Sequence, residues 1–383
     1  MIQNFAAVAT VAIWVRLAFW RGAFWRVEIG PRSSPEPDVW PAVIAIVPAR
    51  NEAASVGDTV RSLSLQDYPG AFSIVLVDDQ SEDATVDVAR LAAAEAGRKQ
   101  GLEIVAGVKS PGGWTGKLWA MRQGVDHAAR GAPDFLLFTD ADTRHAPGAL
   151  RSLVAEAVAE KLALSSLMIE LRCASPLERA LVPAFVFFFR MLYPFRWVNR
   201  ADQPVAAAAG GVMLVSRTAL EAAGGLEKIQ TALIDDCALA RLMKARGPIR
   251  LSMTKSVASG RAYATVSDAR AMISRSAYAQ LRYSPTLLGL TLAGMALTFL
   301  APVLLALFAN GFARLAGVAA WAAMALVFQP TLRFYRRSPL WGLALPAVAL
   351  AYLGFTIDSA WLHARGRGGM WKGRAHNSGG VAA

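Results

Sequence analysis

The middle of the chain alternates short apolar runs with segments of helical periodicity. The apolar runs have the length of buried strands and cover residues 42–47, 72–77, 102–105 and 135–139. Helical stretches near residues 54–66, 84–96 and 117–129 separate them. Because strands that alternate with helices pair in parallel through right-handed crossovers, the pattern predicts an α/β domain with a doubly wound, mostly parallel sheet.

The N-terminal end of the chain has the pattern of a membrane anchor. Residues 2–20 are apolar apart from Gln3, Asn4 and Arg16, and arginines follow them. No small-residue cleavage site is present, which favours a retained anchor over a removed signal peptide. Since basic flanks favour the cytoplasmic side, we expect the chain from Arg21 onward to lie in the cytoplasm.

The C-terminal end contains three further apolar stretches. Residues 286–309 and 312–329 are joined by a very short link and predict a transmembrane hairpin. Residues 340–362 form a third candidate span. A complete third crossing would place the basic tail outside, against the charge bias. A re-entrant or interfacial third segment and an exceptional tail therefore both stay open.

Composition supports a membrane protein with an anionic partner. Hydrophobic residues make up 55% of the 383 residues, and mean hydropathy is +0.35. The formal net charge of +12 suits anionic headgroups or a phosphorylated substrate. No basic stripe with interleaved aromatic residues appears in the central region, so we expect no nucleic-acid partner. The cysteines are Cys173 and Cys237, which we expect to be free thiols in a reducing compartment.

Acidic residues follow the first two predicted strands. Pro48 is expected to stop the first strand, so that Glu52 faces the ligand crevice at the sheet edge. Asp79, with Asp78, is placed to accept a hydrogen bond from a uracil imide or a ribose hydroxyl. A turn followed by a helix cap is the alternative for both clusters.

The fourth predicted strand ends in Asp140 and Asp142. A spacing of two puts both side chains on one face, where one can contact ribose and the other can bind a divalent cation that bridges a diphosphate. Lys117 begins a predicted helix upstream and either neutralises phosphate or is a solvated helix-start lysine.

Further candidate residues lie in the second half of the sequence. Asp235 and Asp236 open a helical pattern, where acids often only complement the helix dipole. Gly210 and Gly211 precede an apolar run and suit either a close approach of the acceptor to the backbone or an ordinary bulge. Arg282 either pairs with a diphosphate or flanks the membrane span that follows it.

The segment 176–198 is rich in phenylalanine and arginine. Its apolar part is too short and too interrupted by proline to cross a bilayer. Because the arginines would be hard to bury, we expect an interfacial helix, with a buried core helix as the alternative.

Together, the order of these acidic motifs resembles the family 2 glycosyltransferases over about residues 42–283. The chain is most similar to the hopene-associated glycosyltransferases and more distantly to ceramide glucosyltransferases. The resemblance implies a nucleotide-binding GT-A fold and assigns Asp236 as the catalytic base, with Asp235 where the family has Glu. A sequence similar to the family's Gln-x-x-Arg-Trp ends in Tyr283, and the tail 369–374 resembles a Trp-Lys-Gly-Arg element of lipid-directed members.

The resemblance implies a definite organisation. We expect an N-terminal membrane anchor (1–30), a linker (31–41), a cytoplasmic GT-A domain (42–284) with an interfacial segment (176–198), and a C-terminal transmembrane region with a basic tail (285–383). The expected protein is a multi-pass enzyme of the inner, cytoplasmic membrane.

The expected reaction is inverting transfer of a sugar from a nucleotide-sugar, most simply a UDP-sugar, to a membrane lipid, with a hopanoid role implied by the resemblance. The expected cofactor is Mg²⁺ or Mn²⁺ at Asp142. The nucleotide-sugar would be bound by Pro48, Glu52, Asp79, Lys117 and Asp140, with Gly210, Gly211, Asp235 and Arg282 near the acceptor or the diphosphate. A polyprenyl-phosphate sugar transferase and a non-catalytic membrane scaffold are the alternatives.

Overall fold

The computed structural model describes residues 2–97 and 101–368. The described chain divides into two compact units. One, the sheet unit, consists of residues 28–172 and 197–262, and the other, the helical unit, consists of residues 2–27, 173–196 and 263–368. Residues 173–196 and 263–284 group with the apolar helices in the helical unit.

The described strands and helices have the following bounds. The strands are β1 (Val43–Ala49), β2 (Phe72–Asp78), β3 (Leu102–Ala106), β4 (Phe135–Thr139), β5 (Thr143–His145), β6 (Leu164–Glu170), β7 (Val212–Ser216) and β8 (Ile249–Ser259). The helices are α1 (Ile2–Trp20), α2 (Val56–Ser64), α3 (Thr85–Glu95), α4 (Gly116–Ala128), α5 (Ala149–Ala159), α6 (Pro176–Leu192), α7 (Phe195–Val198), α8 (Arg217–Ala222), α9 (Asp235–Lys244), α10 (Val266–Ser274), α11 (Ala277–Gln280), α12 (Pro285–Met295), α13 (Ala301–Phe308), α14 (Gly311–Phe334) and α15 (Trp341–Ala364).

The sheet unit is built on a sheet in the order β3-β2-β1-β4-β7-β6-β8-β5. The β1–β2, β1–β4, β2–β3 and β6–β8 pairs are parallel, whereas β7 is antiparallel to β4 and β6, and β5 is antiparallel to β8. The fold class predicted from the sequence, an α/β GT-A-type domain with a mostly parallel sheet, is confirmed. Strands β2, β1 and β4 are neighbours, so the loops after their carboxyl ends meet at one edge.

The predicted end of the first strand was wrong, because β1 continues through Pro48 to Ala49. The pairing of β1 with β4 ends at Ile46, whereas its pairing with β2 continues to Ala49. The Ala49 carbonyl accepts from Asp79 N at 2.8 Å, so the alternate residue Pro48 faces the edge where pairing with β4 has ended. The missing N–H of Pro48 therefore leaves no ladder bond unmade.

The core of the sheet unit is a cluster of aliphatic side chains between the sheet and its covering helices. Val47, Val60, Leu76 and Val154 are fully buried members that come from β1, α2, β2 and α5. Their burial on both faces of the parallel strands explains why these strands read as continuous apolar runs. The packing holds the strand ends, and thus the acidic loops after them, in fixed register.

Within the described residues, three helices of the helical unit are long and apolar enough to cross a membrane. They are Pro285–Phe308, in which α12 and α13 are continuous through a short π-helical stretch, and the 24-residue helices α14 and α15. Their positions agree with the apolar stretches found in the sequence. The predicted anchor forms the 19-residue helix α1, which is not one of the three.

The aromatic side chains of α6 lie mainly inside the helical unit. Phe187 is 0% exposed and packs against Phe24 and Phe328, with ring centroids 5.3 and 4.9 Å away. Phe188 is also buried and contacts Tyr352 of α15. The side chains of Phe187 and Phe188 are therefore buried, as in the alternative of a buried core helix, and their partners on α14 and α15 lie too far along the sequence to be anticipated.

Burial of an arginine in α6 is possible because both of its terminal nitrogen atoms have hydrogen-bond partners. Arg190 is almost completely buried, yet Nη1 donates to Thr331 Oγ1 at 3.1 Å and Nη2 donates to the Arg26 carbonyl. Its guanidinium also lies 5.8 Å from the centroid of the Phe195 ring. These contacts offset the cost of burying the guanidinium, so the arginine does not require an exposed helix.

Candidate active site

Acidic side chains from several loops of the sheet unit collect around a lysine at the start of α4. The α4 helix begins after Thr115, whose hydroxyl accepts from Leu118 N, and this cap places Lys117 in the first turn. Lys117 Nζ lies 2.8 Å from Asp140 Oδ1 and 3.4 Å from Asp235 Oδ2. The structure therefore joins the acid at the end of β4 to the acid at the start of α9 through one ammonium group.

The charge state of Lys117 is set by two opposed effects. Burial alone would lower the pKa of Lys117, but the charges of Asp140, Asp235 and Asp236 outweigh burial and raise it. The side chain therefore remains a cation at any physiological pH. A permanent positive charge beside Asp140 suits a ligand that carries phosphate.

Asp236 occupies the first turn of α9 and has two backbone donors. Its Oδ2 accepts from Gly210 N at 3.1 Å and its Oδ1 accepts from Cys237 N at 2.6 Å. Burial, together with the adjacent charge of Asp235, raises the pKa of Asp236 to about 6, although Lys117 and the two backbone N–H groups act to lower it. A carboxylate with this pKa is mostly ionised at pH 7. Its pKa is close enough to pH 7 for the group to accept and release a proton during a reaction.

The two glycines predicted near the acceptor have different surroundings. A Cβ on Gly210 would lie 3.3 Å from Lys117 Nζ and 3.6 Å from Asp236 Oδ2. A Cβ on Gly211 would lie only 2.7 Å from Ile169 Cδ1. Gly210 thus borders the charged cluster, whereas a side chain at Gly211 would clash with the core.

Asp142 and Glu52 form a second cluster with an arginine that sequence reasoning missed. Arg261 Nε donates to Asp142 Oδ2 at 2.5 Å, and Arg261 Nη2 donates to Glu52 Oε1 at 2.7 Å. A backbone hydrogen bond joins the same two segments, since Gly260 N donates to the Asp142 carbonyl at 2.8 Å. Burial, followed by the charge of Asp140, raises the pKa of Asp142, while Arg261 acts against this shift.

The missed residue follows the longest strand of the sheet. Arg261 lies two positions after β8, and the sequence of β8, with Ser252, Thr254 and Lys255 among its apolar residues, lacks the continuous apolar run of the other predicted strands. The available signal was the β8 sequence. If it had been recognised as a strand, Arg261 would have been placed at the end of a strand of the sheet.

Asp79 lies at the end of β2, beside the loop that carries Glu52. Its side chain is fully buried, and Arg50 Nη1 donates to its carbonyl at 2.6 Å. Arg50 Nη1 also lies 4.0 Å from Asp79 Oδ2. A nucleotide would reach this carboxylate only after a side-chain movement, so a direct role for Asp79 in nucleotide binding stays a prediction.

Two further predicted elements lie outside the described part of the sheet unit. Arg282 lies in the helical unit, in the turn between α11 and α12, and has a positive φ of 52°. The Trp-Lys-Gly-Arg tail at residues 369–374 lies outside the described residues.

The carboxylates fit a divalent cation that shares its coordination shell with a phosphorylated ligand. Asp140 and Asp142 supply the hard oxygen ligands that Mg²⁺ and Mn²⁺ prefer, and such ions commonly use one or two protein carboxylates together with substrate phosphates. In the part of the chain that the structure describes, no group of three or more His, Cys, Asp or Glu side chains is arranged to hold a metal.

Part of the sheet unit matches a known family. Residues 44–224 match the Glycosyl transferase family 2 domain. The matched region is a little under half of the chain, and the acidic loops described above are part of it or follow it.

Two of the solved structures that are similar to this chain are as follows. The mannosyltransferase PcManGT from Pyrobaculum calidifontis, solved with GDP-Man and Mn²⁺, is 20% identical over 94% of this chain and 99% of its own, with a TM-score of 0.55. Glucosyl-3-phosphoglycerate synthase from Mycobacterium tuberculosis, solved with Mn²⁺ and UDP-Glc, is 17% identical over 63% of this chain and 78% of its own, with a TM-score of 0.39. At these identities the likeness to PcManGT shows the fold alone. No curated protein matches the chain.

Proposed function

We propose that the protein is a membrane-attached, inverting glycosyltransferase that moves a sugar from a nucleotide-sugar to a hydroxyl group of a membrane lipid. The observation that carries the proposal is the position of Asp236, a carboxylate with a pKa raised to about 6 that borders Gly210 and the Lys117 cluster. A general base needs a pKa near the working pH and an open approach for the acceptor. The glycine at position 210 leaves that approach free of a side chain.

The reaction requires one displacement at the anomeric carbon of the donor. Asp236 accepts the proton of the acceptor hydroxyl while the acceptor oxygen forms a bond to the anomeric carbon. The bond between that carbon and the diphosphate oxygen breaks in the same step, and the nucleoside diphosphate departs with the electron pair. The N–H groups of Gly210 and Cys237 hold the carboxylate in one orientation during the proton transfer.

The donor is held on the other side of the same cluster. Asp140 would contact the ribose, and Lys117 would pair with the diphosphate, to which its fixed positive charge is suited. A Mg²⁺ or Mn²⁺ ion held by Asp142 and by Asp140 would supply positive charge to the departing diphosphate. A UDP-sugar is the first donor to test, and Asp79 would then contact the uracil. Arg282 remains a proposed neighbour of the diphosphate.

The proposed lipid acceptor is supported by the way the chain is organised. The chain passes between the helical unit and the sheet unit at residues 27–28, 172–173, 196–197 and 262–263. The helical unit contains the helices that are apolar enough to cross a membrane. A catalytic unit tied to such helices at several points would take its acceptor from the membrane, and the resemblance to hopene-associated enzymes makes a hopanoid lipid the first acceptor to test.

The decisive experiment compares lipids from cells with and without the gene. Mass spectrometry should show a glycolipid that requires wild-type protein and is lost with Asp236→Asn, while Asp202→Asn, an exposed carboxylate paired with Arg200, should retain the product. An acid-labile sugar phosphodiester product would overturn the hydroxyl acceptor in favour of polyprenyl-phosphate. Absence of nucleotide-sugar binding to the purified protein would overturn the enzyme proposal in favour of a membrane scaffold.

A further inference from the structure

The Arg261 guanidinium bridges two carboxylates that belong to different loops. Asp142 lies after β4, and Glu52 lies between β1 and α2. Arg261 contacts both with separate nitrogen atoms, Nε at 2.5 Å from Asp142 Oδ2 and Nη2 at 2.7 Å from Glu52 Oε1. Since a planar guanidinium fixes the angle between its donors, this pairing sets the spacing of the two loops.

The carboxylate that Arg261 contacts is also the proposed cation ligand. Asp142 is only 8% exposed, so solvent screens its charge weakly. Two positive partners at one buried carboxylate repel each other, and a cation that approaches Asp142 therefore meets the charge of Arg261. The Arg261 side chain is itself more exposed, at 39%, and has room to move.

We propose that Arg261 is a positioning residue that competes with the divalent cation for Asp142, so that the cation binds well only when donor phosphates draw the guanidinium away. The proposal rests on the proposed function, because it takes the donor to be a nucleoside diphosphate sugar. A diphosphate offers Arg261 the same paired oxygen acceptors as a carboxylate. Cation and nucleotide should then bind cooperatively, and the site should bind metal weakly without nucleotide.

The competition is measurable without any catalytic turnover. Binding of Mn²⁺ alone to the full-length protein is measured by electron paramagnetic resonance of the free ion, for wild type, Arg261→Gln and Arg261→Lys. If the pairing with Arg261 occupies Asp142 in nine molecules of ten, Arg261→Gln should bind Mn²⁺ about tenfold more tightly than wild type. Arg261→Lys keeps the positive charge but loses the planar set of donors, so its affinity for Mn²⁺ should lie between those of wild type and Arg261→Gln.

Cooperativity with nucleotide gives the second measurement. Saturating UDP should raise the Mn²⁺ affinity of wild type by a larger factor than that of Arg261→Gln, because only wild type has a competitor to remove. Arg144→Gln is the matched control, since it removes an exposed arginine of β5 that pairs with Asp58. This control should leave the Mn²⁺ affinity unchanged, and thermal unfolding should confirm that each variant is folded.

The outcomes separate this proposal from the proposed function. Equal Mn²⁺ affinities of wild type and Arg261→Gln without nucleotide, in folded protein, would overturn the competition and leave the glycosyltransferase proposal standing. A tighter Mn²⁺ site in Arg261→Gln, with no binding of UDP or GDP by wild type, would support the competition at Asp142 but overturn the assigned donor class.

Discussion

The ammonium of Lys117 lies 2.8 Å from Asp140 Oδ1, and this contact connects the first turn of α4 to the end of β4. The same ammonium lies 3.4 Å from Asp235 Oδ2 at the start of α9. One cation thus holds together the acid assigned to the donor and the acids assigned to the acceptor. Lys117 could be a phosphate ligand or a solvated helix-start lysine from the sequence alone, and in the structure its ammonium pairs with two carboxylates.

Removal of the Lys117 charge should weaken donor binding. Lys117→Gln leaves Asp140, Asp235 and Asp236 near one another without their shared cation, so a diphosphate would meet a net negative site. We expect at least a tenfold loss of UDP affinity in the presence of Mn²⁺, on the scale of truncating one partner of a buried charge pair. Isothermal titration calorimetry measures this affinity.

Lys161→Gln is the control for Lys117→Gln, because it makes the same change of charge on an exposed turn. The control should bind UDP as wild type does. Wild-type affinity in Lys117→Gln would show that the lysine is structural and that phosphate binds elsewhere.

Loss of Asp236 should impair chemistry more than binding. Asp236→Asn keeps the shape of the side chain and one acceptor oxygen for the backbone donors, but it cannot accept the hydroxyl proton. We expect turnover to fall by about a hundredfold or more while the affinity for the nucleotide-sugar stays within a fewfold of wild type. Steady-state kinetics and calorimetry on one preparation measure both quantities, and an equal loss of both would make Asp236 a helix cap without a catalytic role.

The raised pKa of Asp236 predicts a defined pH dependence. Because the folded protein binds the proton of Asp236 more tightly than the unfolded chain, the contribution of this group to stability falls as pH rises from about 4 to about 6. Above that range Asp236→Asn should melt at a higher temperature than wild type, and near pH 4 the two should converge. The difference between their melting temperatures across pH 4–8 tests this, and a constant difference would contradict it.

The catalytic rate should depend on pH over the same range. Protonation of Asp236 should lower the rate, whereas it favours stability. A base must be ionised, so kcat/KM should rise with pH to a plateau above about 6. Since the charge of Lys117 acts to lower the pKa of Asp236, Lys117→Gln should move the rise to higher pH.

How far the sequence predicts the structure depends on the range of the contacts involved. The apolar run before Asp140 was sufficient to place that residue at a strand end, because burial on both faces of a parallel strand is visible locally. The polar residues of β8 concealed the strand, and therefore concealed Arg261, whose partners Glu52 and Asp142 are distant in sequence. No local pattern specifies such a pairing.

The α6 helix shows the same limit for burial. Its length and proline content indicated that it does not cross a bilayer, but an apolar helix pattern fits either a core or an interface equally well. Phe187 is buried because Phe328 and Phe24 pack around it, and Arg190 is buried because Thr331 and the Arg26 carbonyl accept its hydrogens. These partners become visible only once the helices are assembled.

The burial of Phe187 predicts a large effect on stability. Phe187→Ala removes a ring that contacts Phe24 and Phe328, and we expect a loss of about 3 kcal/mol of unfolding free energy, the scale of deleting a buried aromatic side chain. Phe308→Ala, at an exposed position of α13, should cost much less. Thermal unfolding in detergent compares the two, and an equal loss in both would contradict the buried position of Phe187.

The last prediction concerns Gly210, which borders Asp236. Gly210→Ala would place a methyl group 3.3 Å from Lys117 Nζ and 3.6 Å from Asp236 Oδ2, and the first of these is a tight contact. If the acceptor hydroxyl approaches Asp236 there, the methyl group should raise KM for the acceptor and lower kcat/KM by roughly tenfold or more, as small displacements at a reacting centre do. Donor affinity should change less, because Asp140 and Asp142 are not displaced.

Gly148→Ala is the matched control for Gly210→Ala, because a Cβ at Gly148 meets nothing within 4 Å. The control should leave both transfer and melting temperature as in wild type. A bisubstrate kinetic analysis separates acceptor from donor effects in the two variants. If Gly210→Ala transfers sugar at the wild-type rate with an unchanged acceptor KM, the acceptor does not pass over Gly210, and Asp236 would have to be approached from another side.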